Sequence, residues 1–127
     1  MKILELHINS FGKLKNKHIR FSDKFNLVYG YNESGKSTVH SFIKAMFFGM
    51  ERTRTRAHKN DTWSRYLPWN DGGNYSGSMR LSYKDNIYRI ERDFSRQAQK
   101  PLTLINETRG KEVESPQNFI NNKFIPD

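Results

Sequence analysis

Gly30-Tyr31-Asn32-Glu33-Ser34-Gly35-Lys36-Ser37-Thr38 is the stretch on which the fold turns. It satisfies the pattern of glycine, any four residues, then Gly-Lys-Ser, a loop whose backbone can wrap a phosphate. A spacing match of this length also arises by chance, so the flanking sequence carries the test. Upstream, Phe25-Asn26-Leu27-Val28-Tyr29 is a short apolar run with strand character that ends at Gly30. Downstream, Val39, Phe42, Ile43, Met46, Phe47 and Met50 follow the i, i+3, i+4, i+7 spacing of one helical face. This predicts a helix over about 35–49, with Gly49 as its carboxyl-terminal cap. Strand, glycine loop and helix thus occur in the order the pattern needs. The alternative is a glycine-rich strand-to-helix turn with a solvated lysine.

The chemistry follows from the residue types. Gly30 and Gly35 let the backbone turn back on itself, so that successive N–H groups of Asn32, Glu33, Ser34 and Gly35 point into one concavity. The helix that follows adds the partial positive charge of its amino end. Lys36 supplies a full charge for β- and γ-phosphates and is the one residue assigned a catalytic part, while Ser37 supplies a hydroxyl for a bridging magnesium ion. Thr38 adds a contact on the α-phosphate side. Nucleotide binding, with ATP and Mg2+ as cofactors, is the expectation.

Working outward, Leu4, Leu6 and Ile8 alternate with Glu5 and His7 as in a half-buried strand, Asn9-Ser10-Phe11-Gly12 reads as a turn, and His18-Ile19-Arg20-Phe21 alternates again. A hairpin therefore feeds the strand at 25–29. Residues 51–76 show no period and contain Pro68, Gly72 and Gly73, a long loop of a length that is usually functional or disordered. Antiparallel strands are expected over about 77–113. They form one hairpin turning at Lys84-Asp85-Asn86 and a second turning at Glu107-Thr108-Arg109-Gly110. Ser115-Pro116 predicts a short helix over about 115–124, with serine as N-cap and Phe119, Ile120 and Phe124 on its apolar side. The fold class is α/β: a mixed sheet, one main helix after the phosphate loop, and an antiparallel meander.

With 127 residues the chain is the size of one compact domain. It has no cysteine, which excludes disulfide scaffolds, Cys-based metal sites and thiol nucleophiles and fits a reducing, cytoplasmic setting. Ala45-Met46-Phe47-Phe48 is the longest apolar run, far short of the roughly 20 residues a spanning helix needs, and the amino terminus lacks an export signal. The formal net charge is +9, split as +5 over residues 1–50 and +4 over 51–127. Two basic concentrations stand out, Lys13, Lys15, Lys17 and Arg20, and then Arg52, Arg54, Arg56, Lys59 and Arg65. A solvated face and a nucleic-acid contact both fit them. Trp63, Tyr66 and Trp69 beside Arg65 suit either stacking on bases or pinning the long loop to the core. His7, His18, His40 and His58 have no metal-ligand spacing.

Three stretches together, Ile3–Gly12, Phe25–Tyr29 and above all Gly30–Thr38, resemble the amino terminus of the SMC-like ATPases. These are the ABC-type ATPases of DNA repair and chromosome maintenance, including RecF, SbcC and the YhaN-like proteins. The Asn32-Glu33 pair is most similar to the YhaN-like and SbcC-like branch, and Tyr88-Arg89-Ile90-Glu91-Arg92 looks like the family's strand after its long loop. The resemblance implies that residues 1–127 form the amino-terminal, ATP-binding lobe of a P-loop head. That head would be completed by a carboxyl-terminal lobe beyond a coiled coil and would dimerise with a second head on ATP binding, with DNA as a possible partner and no membrane. It also places Asn9, Phe11 and Lys13 near base and ribose, and one of Arg52, Arg54 or Arg56 near the phosphates. The sequence departs from the complete family: there is no signature motif and no run of four apolar residues ending in Asp-Glu. Leu102-Thr103-Leu104-Ile105-Asn106-Glu107 comes nearest, but an asparagine cannot supply the aspartate's charge to magnesium, so it reads as a strand entering a turn. Gln117 reads as part of a helix start, not as the family's glutamine loop. Little turnover is therefore expected from these residues alone. A small P-loop kinase and a basic nucleic-acid-binding module without a nucleotide role are the alternatives.

Overall fold

The chain opens with a ten-residue strand, β1 (Lys2–Phe11), that turns at Gly12-Lys13 and returns as β2 (Leu14–Arg20). The computed structural model describes residues 1–21, 33–50, 74–95 and 98–124, the first five residues of its long helix by backbone alone. That helix is α1 (Glu33–Phe48). Four strands follow, β3 (Ser76–Tyr83), β4 (Asn86–Asp93), β5 (Leu102–Asn106) and β6 (Lys111–Glu112), and then α2 (Pro116–Phe119), which runs on into a π-helical turn over Ile120–Phe124. The strands form one six-stranded sheet in the order β2-β1-β3-β4-β5-β6. Every neighbouring pair is antiparallel. The strand expected at 25–29, on which a mixed sheet would depend, lies outside the described residues, as do Gly30, Tyr31, Asn32 and positions 51–73 of the long loop.

Local sequence explains the turns. Lys84 and Asp85 both take positive φ, 46° and 66°, so the β3–β4 connection has the left-handed pair of residues whose twist matches the flanking strands. At the β5–β6 turn the Asn106 side chain accepts from the Arg109 amide at 3.0 Å and Gly110 takes φ 66°. Residues 102–106 are thus a strand entering a turn, as the sequence indicates.

The first hairpin differs from expectation. Asn9, Ser10 and Phe11 extend β1 instead of forming a turn, and Ser10 and Phe11 pair with Lys15 and Leu14. The physical reason is Phe11. Its ring is fully buried against Phe42, Tyr75 and Phe94, and that burial outweighs the turn preference of Asn9-Ser10. At the other end, Ser115 is not a side-chain cap. Its backbone sits at φ 50° and its hydroxyl makes no cap bond, while Pro116 does occupy the start of α2. Phe119, tilted on Tyr88, and Phe124, edge-on to it, hold this segment in place, and Phe124 also reaches Tyr83.

One face of the sheet is the core. Leu6 and Ile8 of β1, Met79 and Leu81 of β3, Ile90 of β4 and Leu104 of β5 are all fully buried, at the period of two that their alternation dictates. Val39, Phe42, Ala45 and Met46 of α1 lie over them. The helix comes close because Gly77 has no side chain: a Cβ there would lie 2.4 Å from the Phe42 ring and 2.9 Å from the His7 carbonyl oxygen. α1 ends as its sequence indicates, with Gly49 at φ +76° and its amide donating to the Ala45 carbonyl at 2.8 Å. Gly49→Ala is expected to cost about 1 kcal/mol in urea unfolding, since an L side chain is strained at that φ and its methyl meets Arg92 at 3.2 Å. Unchanged stability would mean that the cap is relaxed.

Candidate nucleotide-binding site

α1 carries the second half of the phosphate-loop pattern. Its backbone is helical from Glu33, two residues before the expected start, so Gly35, Lys36 and Ser37 stand in its first turns. The first four amides of a helix have no intrahelical acceptor and lie at its electropositive end. An anion held there would find those donors, and this is the feature of the described structure that fits a phosphate group. The motif is anchored directly behind: Thr38 and Val39 are buried, and His40 faces solvent. Gly30 and Asn32, and the side chains of Glu33, Ser34, Lys36 and Ser37, lie outside the described residues.

The carboxyl end of α1 is held by two groups that sequence reading missed. Arg92 donates from Nε to the Met46 carbonyl at 2.8 Å and from Nη2 to the Phe47 carbonyl at 3.2 Å and to Gln117 Oε1 at 2.6 Å. Gln117 Nε2 donates to the same Phe47 carbonyl at 3.0 Å and to Asn121 Oδ1 at 2.9 Å. Burial lowers the Arg92 pKa to about 10, which leaves the guanidinium charged at neutral pH. The signal was present in the sequence. Tyr88, Ile90 and Arg92 share one phase of the strand, and a charged residue in the apolar phase requires a buried partner. Gln117 accordingly belongs to a helix start that packs on α1.

Of the positions placed near base and ribose, Asn9 donates to Ser76 Oγ at 3.0 Å and Lys13 lies exposed in the turn. Phe11, enclosed in the core, presents no ring to a base. Arg52, Arg54, Arg56, Lys59, His58, Trp63, Arg65, Tyr66 and Trp69 lie outside the described residues.

The sheet face away from the core carries a charge network. Arg80 bridges Glu5 at 3.2 Å and Glu107 at 2.7 Å. Arg89 Nη1 reaches Glu107 at 3.1 Å, and its Nε lies 3.0 Å from Glu91 as an ion pair without hydrogen-bond alignment. Glu5 is also 3.2 Å from His18 Nε2, and the His18 ring stacks on His7. The charges on this face are thus largely matched; Lys13, Lys15, Lys17 and Arg20 of the first basic cluster are exposed along edge strand β2 and the turn before it, Arg20 lying 3.7 Å from Glu5. Among the described residues no cluster of three metal-ligating side chains occurs, and no helix is long and apolar enough to cross a membrane.

Burial alone would raise the Glu5 pKa, but hydrogen bonds from His18 and Arg80, together with Arg80's charge, bring it below its ordinary 4.5. A carboxylate whose pKa is depressed by folding stabilises the protein above its unfolded value, and that contribution disappears as pH falls through the lower folded value. Glu5→Gln should therefore shrink the loss of melting temperature between about pH 6 and about pH 3. The effect is small because the side chain is partly exposed. An acid limb as steep as the wild type's would count against the network.

A family model described as an AAA domain matches residues 5–127. The chain is 34% identical over 94 residues to the uncharacterized protein YhaN of Bacillus subtilis (strain 168), covering 72% of this chain and 9% of that protein. It is 33% identical over 100 residues to the DNA double-strand break repair Rad50 ATPase of Pyrococcus abyssi, covering 76% and 11%. It is 28% identical over 129 residues to the DNA replication and repair protein RecF of Shewanella pealeana, covering 94% and 34%. The chain thus spans about a tenth of the length of the first two relatives and a third of the last. It belongs to the AAA domain family, as an SMC-like amino-terminal region of the RecF/SbcC ATPase type.

Proposed function

We propose that this chain is the ATP-binding lobe of an SMC-like ATPase of DNA repair and chromosome maintenance. The observation that carries the reading is the Gly30–Thr38 pattern running into α1, whose helical backbone begins inside it and whose anchored face begins at Thr38. In this reading Gly30, Asn32, Glu33, Ser34 and Gly35 wrap the phosphates with backbone N–H groups, Lys36 pairs with the β- and γ-phosphates, Ser37 ligates Mg2+ and Thr38 completes the cradle. ATP bound with its metal supplies the phosphoryl group whose hydrolysis the complete head performs.

Hydrolysis needs groups that these residues lack, notably an Asp-Glu pair to organise magnesium and water. A carboxyl-terminal lobe and a second head would supply them, dimerising on ATP. DNA is the further partner, and the exposed Lys13, Lys15, Lys17 and Arg20 offer it a basic edge. The hairpin ahead of the motif and the antiparallel strands after α1 argue against a small kinase.

Calorimetric titration of this chain with ATP, with and without magnesium, tests the reading. Saturable, magnesium-strengthened binding supports it. An absence of binding at millimolar ATP would sink it for these residues.

A further inference from the structure

The double hold on the carboxyl end of α1 exceeds what ending a helix requires. Gly49 already ends it with a left-handed turn and an amide bond to Ala45, and a glycine cap of that kind is sufficient for most helices. A guanidinium is nevertheless half-buried beside it, and among the described residues its three hydrogen-bond partners are neutral oxygens: the Met46 and Phe47 carbonyls and Gln117 Oε1. Among the described residues, what offsets its charge is the electronegative end of α1, equivalent to about half an elementary charge. That compensation acts within the last turn only. If α1 slid along its axis by a fraction of a turn, the carbonyls would leave Arg92 and a half-buried cation would lose its partners, a costly state. Arg92 therefore makes the axial position of α1 stiff. Gln117 bonds to both Arg92 and the Phe47 carbonyl, and through Asn121 it ties that position to the segment 116–124.

We propose that Arg92 and Gln117 are positioning residues: their clamp fixes α1 along its axis, and so sets where the helix's amino end meets a bound phosphate. This rests on the nucleotide reading above. A helix of 16 residues is about 24 Å long and stiff along its axis, so a displacement at one end reaches the other nearly undiminished. The docking of 116–124 on the sheet is thereby coupled to the position of the amino end of α1, although Gln117 bonds at the opposite end of the helix.

The test is Gln117→Met, which keeps the side chain's bulk and removes its hydrogen bonds. Gly110→Ala serves as a control: φ 66° strains an alanine there, but its methyl meets open space, away from α1. Amide hydrogen exchange without nucleotide is compared at Ala45–Gly49 and at Val39–Phe42, at matched global stability. Gln117→Met is expected to speed exchange about tenfold over the control at both ends, and to raise the Mg-ATP dissociation constant by about the same factor. Faster exchange confined to Ala45–Gly49, or equal to the control at both ends, overturns the coupling. An ATP affinity equal to the wild type's despite loosened amino-terminal turns overturns its link to the site. If the wild type takes up no Mg-ATP, the nucleotide reading fails by itself, and the exchange at Val39–Phe42 still decides whether the clamp reaches the amino end.

Discussion

Gly77→Ala is expected to lower the melting temperature by roughly 10 °C, a loss of about 3 kcal/mol for a chain of this size. A methyl group placed 2.4 Å from the Phe42 ring cannot be accommodated by turning a loose side-chain end, because Phe42 is fully buried and meets the Phe11 ring edge-on at 5.3 Å. The other near atom is the His7 carbonyl oxygen, part of the β1–β3 ladder, in which Ile8 pairs with Gly77. Either α1 must lift away from the sheet, giving up dispersion contacts along Val39, Phe42 and Met46, or the ladder must distort. Gly77→Val should leave no folded protein at 37 °C. A double variant, Gly77→Ala with Phe42→Leu, separates steric conflict from backbone effects: the smaller side chain should make the two losses less than additive by about 1 kcal/mol or more. A Gly77→Ala protein that melts within about 2 °C of the wild type would show that the helix rides higher on the sheet than described.

Lys36→Ala is expected to weaken Mg-ATP binding at least about a hundredfold, equivalent to roughly 2.7 kcal/mol. The proposed partner is a pair of phosphates carrying most of the nucleotide's charge, and backbone amides alone cannot replace the full charge of an ammonium. Alanine is a better helix former than lysine, so stability should not fall, and an intact melting transition would show that the loss is one of binding. Lys36→Arg should recover little, because a planar guanidinium does not substitute for a compact ammonium as a point charge on phosphate oxygens. Calorimetry on the three proteins at one salt concentration reads the effect. Equal affinity of wild type and Lys36→Ala would remove the lysine from the site and, with it, the main support for a phosphate loop.

Much of the fold was legible because its signals are local. The β3–β4 and β5–β6 hairpins announce themselves through alternation and through turn residues that adopt the φ they favour. The α1 face from Val39 to Phe47 follows from its period, and Gly49 from its place at the end. Long-range packing was not legible. Asn9-Ser10-Phe11 has the composition of a turn and became strand because Phe11 finds three aromatic partners far away in sequence. Ser115 has the composition of a cap, yet its backbone took a left-handed conformation while Pro116 and the aromatic contacts of Phe119 and Phe124 placed the helix. In the candidate site, glycine spacing and a lysine point to phosphate chemistry from sequence alone. The Arg92–Gln117 clamp instead joins residues whose relationship exists only once β4, α1 and α2 are packed.

The strand order has a consequence for how the chain folds. β1 pairs with β2, its immediate neighbour in sequence, and also with β3, which follows the entire phosphate-loop segment, α1 and the long connection. The first hairpin can form in microseconds, but the sheet cannot close until that large loop does, and closing it carries an entropic penalty that nothing repays before Ile8 meets Gly77 and Phe42 comes down between them. Assembly is therefore rate-limited by a non-local pairing, a topology that folds in milliseconds to seconds. During synthesis β1 would leave the ribosome with one edge satisfied and the other open until Ser76–Tyr83 emerges, and the segment proposed to bind nucleotide would be made entirely within that interval.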